Sequence, residues 1–164
     1  MAIWLNTILV GIGATATMDA WSLVRRRLLG LPLPDYGLVG RWLGHMPRGR
    51  FRHEAIGAAP RVRGERLLGW TAHYLVGISF AALLPLLRGP DWFCQPSPGP
   101  ALLVGIGTVA APLFLMQPGM GAGIAASCTP RPWAARLQSL LTHAVFGLGL
   151  YATALFLGPW CGYP

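Results

Sequence analysis

Three ionisable side chains, Asp19, His73 and His143, lie inside otherwise apolar stretches of this chain, and Gln117 lies at a similar level in a fourth. Ionisable groups within membrane-length segments are costly and point to function by default. Imidazole and carboxylate together can relay a proton, hold a polar ligand or bind a metal. Asp19, His73 and His143 make up the two-histidine, one-carboxylate set of non-haem iron. Two histidines on separate helices also meet the first requirement of a bis-histidine haem. The spacing matches no metal motif, and the same groups can act as plain interhelical hydrogen bonds, worth about 0.6 kcal/mol each in lipid. The residue types leave ligand, proton, metal, haem and structural roles open, and they name no cofactor.

A second set is basic. Arg41, His45, Arg48, Arg50, Arg52 and His53 crowd one short segment, with Glu54 beside them. Guanidinium forks suit phosphate and carboxylate, so this set is a candidate contact for an anionic ligand or anionic lipid headgroups. Its plainer reading is a topological signal. His45 and His53 stand eight apart with no cysteine near, which does not suit zinc. Of three cysteines, Cys94 and Cys161 form a candidate disulfide on an oxidising side, and Cys128 is expected to be reduced.

The elements that position these groups follow from composition. The chain has 164 residues, 54% hydrophobic and 11% charged. Soluble domains carry about 25% charged residues, so a soluble enzyme, a disordered tail and a nucleic-acid module are all disfavoured, and no nucleic-acid partner is expected. Four stretches approach the ~20 apolar residues that cross a bilayer: about 3–24, 67–87, 101–127 and 133–157. The expected fold is an all-α membrane protein, a single domain of four transmembrane helices.

All 13 basic residues are arginine, and ten of them lie in residues 25–66. Positive residues stay on the cytoplasmic side. The 25–66 loop and the turn at Pro130 are therefore expected in the cytoplasm of a bacterial inner membrane. Both termini are expected in the periplasm, with Trp4, Trp92 and Trp160 at the outer interface. The loop itself carries a pattern: Leu38, Val39, Trp42, Leu43 and Met46 mixed with Arg41 and His45. That predicts a short amphipathic helix from an Asp35 N-cap to Met46, broken by Pro47-Arg48-Gly49-Arg50.

The two halves resemble each other. Leu9-Val10-Gly11-Ile12-Gly13 recurs as Leu103-Val104-Gly105-Ile106-Gly107, and Arg66-Leu67, His73 and Gly77 recur as Arg136-Leu137, His143 and Gly147. A duplicated hairpin would place a pseudo-two-fold axis along the membrane normal. His73 and His143 each lie seven residues inside their arginine, ~10 Å deep along a helix, and Asp19 lies ~9 Å from Arg25 by the same rise. Gly11, Thr15, Asp19 and Ser22 share one helix face, and small residues four apart let backbones approach. The expectation is one cytoplasm-facing polar cluster of Asp19, His73, Gln117 and His143, with Thr15 on its wall. In the third span Pro112 and Gln117-Pro118-Gly119-Met120-Gly121-Ala122-Gly123 predict a broken helix. Broken helices often mark transporter binding sites.

Four segments resemble a family of small bacterial inner-membrane proteins known only as a domain of unknown function. They are Gly-Ile-Gly-Ala-Thr-Ala-Thr-Met-Asp-Ala-Trp (11–21), Leu-Val-Gly-Arg-Trp-Leu-Gly-His-Met-Pro-Arg-Gly-Arg-Phe-Arg-His (38–53), Gly-Glu-Arg-Leu-Leu-Gly-Trp-Thr-Ala-His-Tyr (64–74) and Met-Gln-Pro-Gly-Met-Gly-Ala-Gly (116–123). The resemblance covers nearly the whole chain and implies the four-helix membrane fold. It implies no activity and assigns no catalytic residue.

The best-supported expectation is a small transporter or a binding subunit for a polar or anionic ligand. A membrane-embedded metal- or haem-dependent enzyme is the first alternative, and a structural partner of a larger membrane complex is the second. Four helices are few for a pore, which makes a homodimer a candidate assembly.

Overall fold

The computed structural model describes residues 2–158, and among these the secondary structure is helical, with no strand. Helix α1 runs Ala2–Leu29, α2 Tyr36–His45, α3 Glu65–Ala81, α4 Leu83–Arg88, α5 Pro98–Gly107, α6 Gln117–Met120 and α7 Pro132–Leu157. Among the described residues, four helical stretches are long and apolar enough to cross a membrane: Ile3–Leu29, Glu65–Arg88, Pro98–Met120 and Pro132–Leu157.

Two boundaries differ from the sequence expectation. The first helix continues through Arg25, Arg26 and Arg27 to Leu29, since arginine is a good helix former. It ends where Gly30 turns to φ +65 and Pro32 and Pro34 forbid further turns. The third span stops at Met120 rather than near Ser127, because Gly121 takes φ +95, a left-handed helix end. Within that span Pro112–Met116 form a π turn. The proline nitrogen cannot donate, and the wider turn that results is a geometry found often at functional sites.

The chain divides into two compact units: Met1–Leu33 with Tyr74–Thr108 and Leu141–Pro164, and Pro34–His73 with Val109–Leu140. The core of the first unit gathers Val10, Ala14, Ala81, Leu84, Trp92, Phe93, Ala101, Val104, Phe146, Leu150 and Ala154. Trp92 is therefore buried rather than set at an interface, which corrects the sequence expectation for it. It lies in the short turn Pro90–Phe93, and that turn folds in against the core instead of outward. The helices of this unit meet through small residues. Gly77 lies against the Thr15 side chain, and Gly105 lies directly against the backbone of Gly147 and the carbonyl of His143. A side chain at Gly105 would have to displace backbone. Such close approach is how helices pack where lipid offers no hydrophobic drive.

In the second unit α2 begins at Asp35, whose Oδ1 accepts the Gly37 N–H at 2.9 Å, as the capping pattern predicted. Helix α2 crosses α3 at Gly40 and Gly69. A Cβ on Gly40 would meet the Glu65 carbonyl, and one on Gly69 would meet the Tyr36 carbonyl. Backbone contact at this crossing sets α2 down on the first turns of α3.

Candidate functional site

Arg41 follows Gly40, so the crossing carries it straight to Glu65. Its Nε donates to Glu65 Oε2 at 2.9 Å and its Nη2 to Oε1 at 2.8 Å, a bidentate pair. Its Nη1 donates to the carbonyls of Ile56, Gly57 and Ala59. Glu65 Oε2 also accepts the Val62 N–H. The hydrogen-bonded Glu65 carboxylate holds the Arg41 guanidinium above its usual pKa, so it stays charged. Arg41 is buried. It is not a headgroup contact, as its sequence neighbours suggested; it ties the returning loop to the start of α3.

Trp42 and His45 lie three apart on α2 and share a face. Trp42 Nε1 donates to Phe51 O at 2.9 Å, and its ring lies against Gly119, where a Cβ would strike it. The Gly119 carbonyl accepts the His53 backbone N–H at 2.9 Å. The α2 face, the 51–54 segment and the end of the broken span are thereby joined at Gly119.

His45 is 3% exposed. Its Nε2 lies 3.0 Å from Pro60 O. A carbonyl only accepts, so Nε2 carries the proton and Nδ1 presents a lone pair in the neutral ring. That Nδ1 is buried and has no hydrogen-bond partner. The His53 ring meets His45 edge-on at 5.0 Å between centroids, and both of its ring nitrogens are buried and unpaired, as is Gln117 Oε1. His45 and His53 thus turn inward, which corrects the headgroup role expected of them. A buried polar group without a partner costs about 1–3 kcal/mol, and native proteins leave few of them.

Arg48, Arg50 and Arg52 are exposed, with Phe51 among them. Gly49 at φ +74 turns the chain there. This tip retains the charge and exposure that a headgroup contact requires.

The intramembrane residues divide between the units. His73 and Gln117 belong to the second. His73 stacks on Tyr36, 4.0 Å between centroids and 24° between planes, with Trp70 at 5.9 Å. Asp19, Thr15 and His143 belong to the first. Asp19 Oδ2 accepts the Tyr74 hydroxyl at 3.0 Å. Thr15 is fully buried and bonds back to the Gly11 carbonyl at 2.7 Å. His143 Nδ1 lies 3.2 Å from Thr108 Oγ1 and 3.3 Å from Gly105 O. Thr108 Oγ1 donates to that same carbonyl at 2.7 Å, so the proton between His143 and these oxygens sits on Nδ1. Among the described residues, no group of three or more His, Cys, Asp and Glu is placed to hold a metal ion. Cys94 is exposed, and Cys161, its candidate disulfide partner, lies outside the described residues, as does Trp160.

Beyond the broken span, Ala125 and Ala126 hold φ of 49° and 59°, a left-handed geometry that costs non-glycine residues energy. Arg136 Nε donates to Ala125 O at 2.7 Å and so restrains the turn. Tyr74, Thr108, Tyr36 and Glu65 were not singled out from sequence. Glu65 carried a signal: an acid in the first turn of an apolar span needs a cation nearby.

A family model described as "Protein of unknown function (DUF2938)" matches residues 8–157. No curated protein and no solved structure matches the chain.

Proposed function

Because the chain belongs to the DUF2938 family of unknown function, whose match runs from the first span to the last, we propose its role from its site. It is a multi-pass inner-membrane protein that binds a polar ligand, as a small transporter or as a binding subunit. The observation that carries this reading is the set of buried, unpaired atoms in the second unit: His45 Nδ1, both His53 ring nitrogens and Gln117 Oε1. His45 Nδ1 and Gln117 Oε1 are acceptors, so the ligand that satisfies them brings N–H or O–H donors. The π turn that precedes Gln117 and the strained turn after it support a site built on a broken helix.

The arginine distribution supports a cytoplasmic 25–66 loop, periplasmic termini and contact of Arg48, Arg50 and Arg52 with anionic headgroups. A duplicated hairpin is supported by contacts as well as by sequence. A Cβ on Gly77 would come within 3.6 Å of Gly11 O, and Gly105, the counterpart of Gly11, lies against Gly147, the counterpart of Gly77. Assembly as a homodimer would double this small bundle.

The test is mass spectrometry of protein purified gently with its native lipids. A small polar molecule is expected to co-purify with the wild type and to be depleted in Gln117→Leu. Equal retention by the variant, or none by the wild type, overturns the reading.

A further inference from the structure

Trp21 and Arg25 stand four residues apart on α1, one turn of helix, and so share a face. Both belong to the first unit. Arg25 is 9% exposed, whereas Arg26 and Arg27 beside it are exposed. The two exposed arginines behave as a topological signal would, and Arg25 does not. Its Nη2 donates to Ser22 Oγ at 3.3 Å, and that hydroxyl donates onward to Met18 O at 3.1 Å. A hydroxyl is a neutral partner and leaves the guanidinium charge uncompensated. Among the described residues the ion pair is Arg41 with Glu65, and Arg25 has no carboxylate. Its Nε is buried without a partner, and so is Trp21 Nε1.

These two groups differ in kind from the unpaired atoms of the second unit. Indole N–H and guanidinium N–H only donate, under any protonation. A buried cation and a buried donor on one helix face need an acceptor that carries negative charge. We infer that this face of α1 binds an anion bearing phosphate-type oxygens. Depth points to the same chemistry. From Ile3 to Arg25 the helix rises ~33 Å, close to the ~30 Å hydrocarbon thickness, which puts Arg25 at headgroup-phosphate level. The phosphate can belong to a phospholipid headgroup or to a free anion. The inference is independent of the polar-ligand site, since it uses other residues in the other unit and the opposite hydrogen-bonding sense.

Two arms test it. In the first, delipidated protein is mixed with phosphatidylglycerol or with diacylglycerol and read by native mass spectrometry. In the second, inorganic phosphate is titrated by calorimetry. Wild type is expected to retain phosphatidylglycerol over diacylglycerol, or to bind phosphate saturably. The first result assigns a headgroup, the second a free anion, and either supports the site. Arg25→Ala is expected to weaken binding about tenfold or more, the worth of a charged hydrogen bond. Trp21→Phe, which keeps the ring and removes only the N–H, is expected to weaken it about threefold to tenfold, with Arg26→Ala unchanged. Trp21→Phe decides the matter if Arg25→Ala fails to fold. Binding by neither arm, or wild-type binding by Trp21→Phe, overturns the inference.

Discussion

Arg41 and Glu65 form a bidentate ion pair between the amphipathic helix and the first turn of the second span. Three backbone carbonyls from Ile56, Gly57 and Ala59 complete the arginine's hydrogen bonding. The 41–65 part of the basic loop is therefore tied to the start of α3 through a charge.

The pair predicts strong coupling. Arg41→Ala leaves the part-buried Glu65 carboxylate without its cation, and Glu65→Gln leaves the buried Arg41 guanidinium without its carboxylate, so each is expected to lower the melting temperature in detergent by several degrees. The double variant is expected to fall little further than the worse single one, because both remove the same interaction. Additive losses would show that the pair does not act as a unit.

Asp35→Ala removes the N-cap of α2 and is expected to destabilise by about 1 kcal/mol. Asp35→Asn, which keeps an acceptor, is expected to stay near wild type. Denaturation of the two variants side by side checks this.

Glycines of the third span separate packing from propensity. Gly105→Ala is expected to destabilise strongly, since its Cβ would meet the Gly147 backbone and the His143 carbonyl. Nothing lies within 4 Å of a Cβ on Gly107, so Gly107→Ala is expected to be neutral or to stabilise by up to about 1 kcal/mol through helix propensity. Melting temperatures of the two variants read the contrast directly.

The arginine distribution predicts the side on which the loop lies. With Cys94, Cys128 and Cys161 changed to serine, the Arg50→Cys variant, on the exposed tip, is expected to react with an impermeant thiol reagent only after the inner membrane is opened. Labelling in intact spheroplasts would reverse the orientation.

Hydropathy and capping chemistry were legible in the sequence because both are local. Four apolar runs, the Asp35 cap, the extent of α2 and the break near Gln117-Pro118-Gly119 all depend on near neighbours. The partners were not legible. Asp19 meets Tyr74 across 55 positions and Arg41 meets Glu65 across 24, and no periodicity states which helix faces which. An amphipathic helix carrying arginine and histidine reads the same whether it lies on headgroups or on protein. For that reason the sequence points Arg41, His45 and His53 outward, although it places Arg41 and His45 correctly on α2. Trp92 misled in the same way, since a tryptophan near a span end suits an interface and a buried turn equally.

The central claim is that His45, His53 and Gln117 hold unpaired polar atoms in readiness for a ligand. The most direct test is the melting temperature of ligand-stripped Gln117→Leu beside ligand-stripped wild type. Replacing an orphaned buried acceptor with an apolar side chain of similar size is predicted to raise stability, by about 1–3 kcal/mol if the whole penalty is relieved. A lower melting temperature for the stripped variant would mean that Gln117 supports the fold rather than a ligand, and would contradict the account.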